Sequence, residues 1–392
     1  MKFSVVVALA SLAVAQSCPA LPTTISYQNQ KLPDPFAFAD GSRRAASMAD
    51  WTCRAAELST LFQRYELGTL PSKPARVTGS FSSTNNTLTV SVTTGAGTSI
   101  SFDARISYPE SGLGGDAFPA IIALGGLNIP PPTYAAVITF NNDEIARQGG
   151  PGSRGKGKFY TLYGANHSAG ALMAWTWGVS RIIDALESTP NAKIDTTHIG
   201  VTGCAGNGKG AFVAGAFDKR IALTVPQESG AGGSACWRLS DAMRATGKNV
   251  QTASGILNEN VWLSPAFTQY ASNTTKLPID HHELAALVAP RGLYVIENTS
   301  IEWLGNESTN GCMRAGAKVY DALGQPANVG FQQVGGHAQC ALAEAQQSGF
   351  DAFVAKFLYG WGADTWIRQT DGNFTFDETR WVDWTTPVLY QS

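Results

Sequence analysis

Three short segments carry residue types that could form a reaction centre: Gly-Val-Thr-Gly-Cys-Ala-Gly-Asn-Gly-Lys-Gly at 200–210, Pro-Gln-Glu-Ser-Gly-Ala-Gly-Gly at 226–233 and Val-Gly-Gly-His-Ala-Gln-Cys at 334–340. The first reads as a strand, a glycine-rich turn and a helix. That is the shape of a nucleophile elbow, which pushes one side chain out above a sheet. Glycines flank such a turn because its neighbours have little room for a Cβ. The apex here is Ala205, where a working elbow carries serine. A methyl group has no lone pair, so covalent ester cleavage lacks its nucleophile. Ser229 follows Glu228 but lies off the elbow, and His337 reaches the side of Gln339 only if that segment is extended. Gly-Cys-Ala-Gly-Asn-Gly-Lys-Gly at 203–210 also fits Gly-x-x-x-x-Gly-Lys, the start of a phosphate-binding loop. Gly210 stands where that loop needs Ser or Thr for magnesium, so nucleotide binding is not expected.

The elements that must position these segments follow from hydrophobic periodicity. Residues 50–67 read as a helix with Asp50 as N-cap and Gly68 to Pro71 as its stop. Alternation from Val77 to Tyr108, broken at Asn85-Asn86 and Gly95-Ala96-Gly97, predicts antiparallel strands. Buried-strand runs follow at 120–124, 198–202, 221–225 and 293–297, with helices at 168–187 and 208–218. Strands alternating with helices predict an α/β fold with a doubly wound, mostly parallel sheet in a single domain. Active sites of such sheets lie beyond the carboxyl ends of the strands. Residues 17–45 read as an irregular arm.

Met1 and Lys2 precede an apolar run from Phe3 to Ala15, which predicts a secretory signal peptide over 1–16, a mature domain over 17–392 and an extracellular product. No later run is apolar and long enough to predict a membrane helix. All six cysteines lie beyond the leader, and an even number in an exported chain implies disulfides, with 15 pairings open. None sits in a Cys-x-x-Cys pair, and no metal or other cofactor is expected. Sequons at Asn85, Asn166, Asn273, Asn298, Asn306 and Asn373 suggest a eukaryotic glycoprotein. A net charge of −2 without a basic stripe makes nucleic acid and anionic membranes poor partners.

The three segments together resemble the fungal glucuronoyl esterases of carbohydrate esterase family 15, with Gly-Cys-Ser-Arg-x-Gly-Lys-Gly at the elbow, Gln-Glu-Ser-Gly-x-Gly-Gly after the next strand and Gly-His-x-His-Cys near the C-terminus. Leu-Gly-Gly-Leu-Asn-Ile-Pro at 124–130 and Asp-His-His-Glu-Leu-Ala-Ala-Leu-Val-Ala-Pro-Arg-Gly-Leu at 280–293 extend the likeness from about Tyr65 to Gly362. The resemblance implies an α/β-hydrolase fold and hydrolysis of 4-O-methyl-glucuronate esters between glucuronoxylan and lignin alcohols. It places the nucleophile at Ala205, the oxyanion arginine at Gly206, the acid at Glu228 and the base at Gln339. Only the acid is kept. It also implies a uronate site at Lys209, Gln251, Glu259 and Trp303, and disulfides Cys18–Cys53, Cys204–Cys340 and Cys236–Cys312. The expectation is an impaired esterase that binds glucuronoxylan or lignin–carbohydrate esters as a monomer. The alternatives are an esterase with a non-standard mechanism and a vestigial interaction protein. Ala205→Ser with Gln339→His is expected to rebuild activity, and Gly206→Arg to raise it further.

Overall fold

Central strand β4 (Phe118–Leu124) divides its side chains between two cores: Ala120, Ile122 and Leu124 enter the larger, Ile121 and Ala123 the smaller. Burial on both faces is what a central strand of a parallel sheet requires. Each fully buried Ile or Leu contributes about 1.5–3 kcal/mol, so these strand positions anchor the sheet. In this computed structural model, which describes residues 17–391, the other strands are β1 (Arg76–Ser82), β2 (Thr87–Thr93), β3 (Ser99–Ser107), β5 (Ala136–Phe140), β6 (Ile194–Cys204), β7 (Ile221–Gln227), β8 (Gly292–Glu297), β9 (Val329–Gln333) and β10 (Arg368–Thr370). Their order is β1-β2-β3-β5-β4-β6-β7-β8-β9-β10. Pairings from β1 to β3, and of β3 with β5, are antiparallel; all others are parallel. The larger core is covered by helices Met48–Phe62, Ala171–Glu187, Gly206–Phe217, His281–Val288 and Asn306–Ala322, and the smaller by Glu344–Phe357. The α/β, mostly parallel, single-domain architecture expected from the sequence is present. The leader expected at 1–16 lies outside the described residues.

Two local expectations change. The first helix starts at Met48, and its N-cap is Ser47, whose Oγ accepts from the Asp50 amide at 3.1 Å. Asp50 instead pairs with Arg43 and accepts from the Ala46 amide at 3.1 Å, so its carboxylate is spent on the arm. That arm is irregular, as expected, yet tightly seated. Leu32 and Phe36 are fully buried. Arg54 Nε donates to the Pro35 carbonyl at 3.1 Å, Arg238 Nε donates to the Asn29 carbonyl at 3.0 Å, and His282 Nε2 lies 2.8 Å from the Pro33 carbonyl. These bonds satisfy backbone groups that no ladder serves.

The cysteines pair as Cys18–Cys53, Cys204–Cys340 and Cys236–Cys312. Among the described residues, no helix is long and apolar enough to cross a membrane. Of the six sequons, Asn85, Asn166, Asn273 and Asn373 are exposed, but Asn298 and Asn306 are buried. Their amide nitrogens are engaged, Asn298 Nδ2 with the His337 carbonyl at 3.0 Å and Asn306 Nδ2 with the Thr299 carbonyl at 3.2 Å. A glycan at either would have to displace these bonds and break the packing. Glycopeptide mass spectrometry on protein from a eukaryotic secretory host is therefore expected to find Asn298 and Asn306 bare, with glycans confined to the other four sequons.

Candidate active site

Strand β6 ends in the elbow, and its apex, Ala205, has φ 54° and ψ −121°. This is a costly conformation for a residue with a Cβ, by about 1–3 kcal/mol. It is held from two sides: the Ala205 amide donates to the Gln227 carbonyl at 3.0 Å, and its own carbonyl accepts from the Lys209 amide at 3.0 Å. Gly203 is required by close approach, since a Cβ there would sit 2.5 Å from the Asn207 carbonyl oxygen. Glu228 (φ 44°) and Cys340 (φ 62°) share the positive-φ strain, so three of the five non-glycine residues with positive φ among the described residues gather here.

Glu228 follows β7, and its side chain is fully buried. Oε2 accepts from the Cys340 amide at 2.9 Å, whereas Oε1 is buried without a hydrogen-bond partner. Burial pushes its carboxyl above the ordinary range, against the Cys340 amide and nearby His337 and Asn298, which act to lower it. His337 does not complete a relay. Its Nδ1 stays 4.0 Å from Glu228 Oε1, and its ring nitrogens reach the Ala338 carbonyl at 3.0 Å and the Val334 carbonyl at 2.9 Å. The ring is folded onto its own loop. Gln339 is exposed beside Cys340, whose sulfur is bonded to Cys204 at the elbow. Ser229 is no substitute nucleophile. It is fully buried, and its Oγ accepts from the Ser234 amide at 3.0 Å.

Gly206 opens the elbow helix beneath two residues that sequence reasoning missed. A Cβ there would meet Trp262 Cζ2 at 2.8 Å and Gln148 Oε1 at 2.9 Å. Trp262 Nε1 donates to Gln148 Oε1 at 3.0 Å, and Gln148 Nε2 donates to Asn207 Oδ1 at 3.1 Å. An indole N–H can only donate, which fixes the orientation of the amide. A side chain at 206, as in the expected Gly206→Arg variant, therefore requires Trp262 and Gln148 to shift. Nothing local in the sequence marks either residue, because both reach the elbow from distant loops.

The four residues expected at a uronate site divide in two. Gln251, Glu259 and Trp303 line an open cleft of about 410 Å³ with Arg244, Asn249 and Thr252. Gln251 Nε2 donates to Glu259 Oε2 at 2.6 Å. Lys209 lies behind them, only 2 % exposed. Its Nζ donates to the carbonyls of Ser229 at 2.6 Å and Ala231 at 2.7 Å, with Gln251 Oε1 at 3.5 Å and the Trp262 ring centroid 5.2 Å away. Burial depresses its ammonium to about 8. Lys209 thus braces the loop after Glu228 and orients Gln251 rather than facing the cleft itself.

The fold and the elbow have close counterparts among known proteins. The family described as "Glucuronyl esterase, fungi" matches residues 90–324. This chain belongs to the fungal glucuronoyl esterase family. It is 54% identical over 374 residues to a 4-O-methyl-glucuronoyl methylesterase of Hypocrea jecorina, covering 95% of this chain and 79% of that protein. A methylesterase of Schizophyllum commune is 47% identical, with 98% of each chain covered. The crystallised glucuronoyl esterase catalytic domain of Hypocrea jecorina superposes with a TM-score of 0.90 over 94% of this chain and 100% of that one. A serine-to-alanine mutant of a Sporotrichum thermophile glucuronoyl esterase, solved with methyl 4-O-methyl-β-D-glucopyranuronate, gives 0.89 at 48% identity, covering 95% of this chain and 100% of that one.

Two measurements check this account of the site. Ala205→Gly relieves the positive-φ strain and gives up some unfolded-state entropy advantage, so denaturant unfolding is expected to show a net stabilisation of about 1 kcal/mol. Glu297, at the end of β8, is fully buried and accepts from the amides of Ser229 at 3.0 Å and Gly230 at 3.2 Å. Burial pushes its carboxyl up to about 7 from an ordinary 4.5, so the folded state binds the proton more tightly than the unfolded chain. Its contribution is fully present below about pH 4.5 and lost as pH rises through about 7. Thermal unfolding midpoints are expected to fall between pH 5 and pH 8, and to fall less in Glu297→Gln.

Proposed function

We propose that this protein is a secreted, catalytically impaired glucuronoyl esterase that binds 4-O-methyl-glucuronate esters of glucuronoxylan. The observation that carries this reading is the alanine at the apex of an otherwise intact, strained elbow. Ester cleavage needs an oxygen nucleophile, a base for its proton and an acid to orient that base. Ala205 and Gln339 stand at the first two positions and Glu228 at the third, its Oε1 left without a hydrogen-bond partner. Loss of such a unit costs roughly 10⁶ in kcat and leaves about 10³-fold over water from binding and backbone donors. The cleft bearing Gln251, Glu259 and Trp303 supplies hydroxyl recognition and a ring platform suited to a uronosyl residue. A serine-to-alanine mutant of a related esterase was solved with a methyl glucuronate, which supports the view that this fold accommodates the ester without that serine. Four exposed sequons and three disulfides support export.

The test is to measure turnover and binding together on the purified protein, using benzyl glucuronate and glucuronoxylan fragments. Binding without turnover is expected. Trp303→Ala should weaken it at least fivefold, about 1 kcal/mol of stacking. The pair Ala205→Ser with Gln339→His should create ester cleavage that neither change gives alone, because such residues act as a unit. Turnover by the unmodified protein at the rate of that double variant would establish an active esterase with a different mechanism. The absence of both binding and turnover would leave only a vestigial fold.

A further inference from the structure

Recognition of an ester and of the acid it yields differ by one full charge at the carboxyl group. The groups around the elbow therefore determine which of the two is held. At the apex stand the Ala205 methyl and Gly206, neither with a charge. Above Gly206 the space is filled by the neutral pair Trp262 and Gln148, with Asn142 Nδ2 and Gln148 Nε2 both donating to Asn207 Oδ1, at 2.8 and 3.1 Å. The buried cation beside this region, Lys209, has its ammonium on the Ser229 and Ala231 carbonyls, and its charge is already met by Glu259 and Glu297. Arg147 and Lys156 line a surface pocket with Gln148 and are exposed, where solvent and salt screen them. The first turn of the elbow helix offers about half a positive charge. Against it stands the carboxyl group of Glu228, buried, with Oε1 unpartnered.

Resting on the binding role proposed above, we infer that the site selects the esterified, uncharged uronate and rejects the free uronic acid, with Gln148, Trp262 and Glu228 as the residues that set this preference. An ester carbonyl can accept from the helix N–H groups as a carboxylate would, so hydrogen bonding does not separate the two ligands. Charge does. A carboxylate placed at the elbow meets the buried carboxyl group of Glu228, while Arg244, in the cleft beyond, is exposed and donates to Asn249 Oδ1 at 3.1 Å. A neutral methyl or aryl ester meets a methyl group, an amide and an indole edge. The protein would then mark intact ester linkages and let go of chains whose uronate is already free.

The experiment compares methyl 4-O-methyl-glucuronate with 4-O-methyl-glucuronic acid by titration calorimetry at neutral pH and moderate salt. The ester is expected to bind at least tenfold more tightly than the acid. Glu228→Gln should bring the ratio toward one, chiefly by strengthening binding of the acid. Gln148→Ala with Trp262→Ala clears the space above Gly206, and adding Gly206→Arg installs a cation there, which is expected to reverse the preference. Thermal unfolding confirms that each variant is folded, and either one alone suffices to test the charge argument. Equal affinity for ester and acid, or a ratio unmoved in folded variants, overturns the inference while leaving the binding role intact. Failure of both ligands to bind overturns the binding role and the inference with it.

Discussion

The strained convergence at Ala205, Glu228 and Cys340 is the constraint on which the rest of the site depends. Each residue turns the chain with a positive φ directly after a strand or within the loop that follows one. Such conformations persist only where the surroundings over-determine them. Here the surroundings are the Cys204–Cys340 bond, the Cys340 amide on Glu228, and the Ala205 amide on the Gln227 carbonyl. The bond closes a loop spanning 136 positions, which in a chain-entropy account stabilises the fold by about 4–5 kcal/mol. That is enough to carry the strain of one or two such turns. The turn is thus held in place with an alanine methyl at its apex.

Buried carboxylates form a second layer behind this convergence. Glu228 and Glu297 are both fully buried, and each has one oxygen without a partner. Glu297 gathers the amides of Ser229 and Gly230 and the hydroxyl of Ser234, and so fixes the loop that presents Glu228. Lys209 clasps the same loop through the carbonyls of Ser229 and Ala231. One loop is therefore held by a carboxyl group on its N–H groups and an ammonium on its carbonyls.

The neutral lid over Gly206 couples residues far apart in sequence. Gln148 comes from the loop after the short helix Asn142–Ile145, Trp262 from the segment after helix Ala253–Glu259, and Asn207 from the elbow helix itself. Glycine at 206 and an indole at 262 fit one another. A side chain at the first would displace the second.

Much of this protein is determined by local sequence. The strand runs, the elbow letters and the Gln-Glu-Ser-Gly segment fixed the parallel sheet and placed Ala205 and Glu228 at strand ends, because periodicity and turn chemistry act over a few residues. The short strands β5, β9 and β10 carried weaker patterns. Their strand character comes from pairing with distant neighbours, as β10 pairs with β9. Composition left the cysteine pairing open, and the likeness to the esterases supplied it. Tertiary structure alone decided that Lys209 is a buried brace, that Asn298 and Asn306 are enclosed, and that Trp262 and Gln148 close the space over Gly206. Each depends on which segments meet in space, and contacts between distant segments leave no period in a single chain for a reader to find.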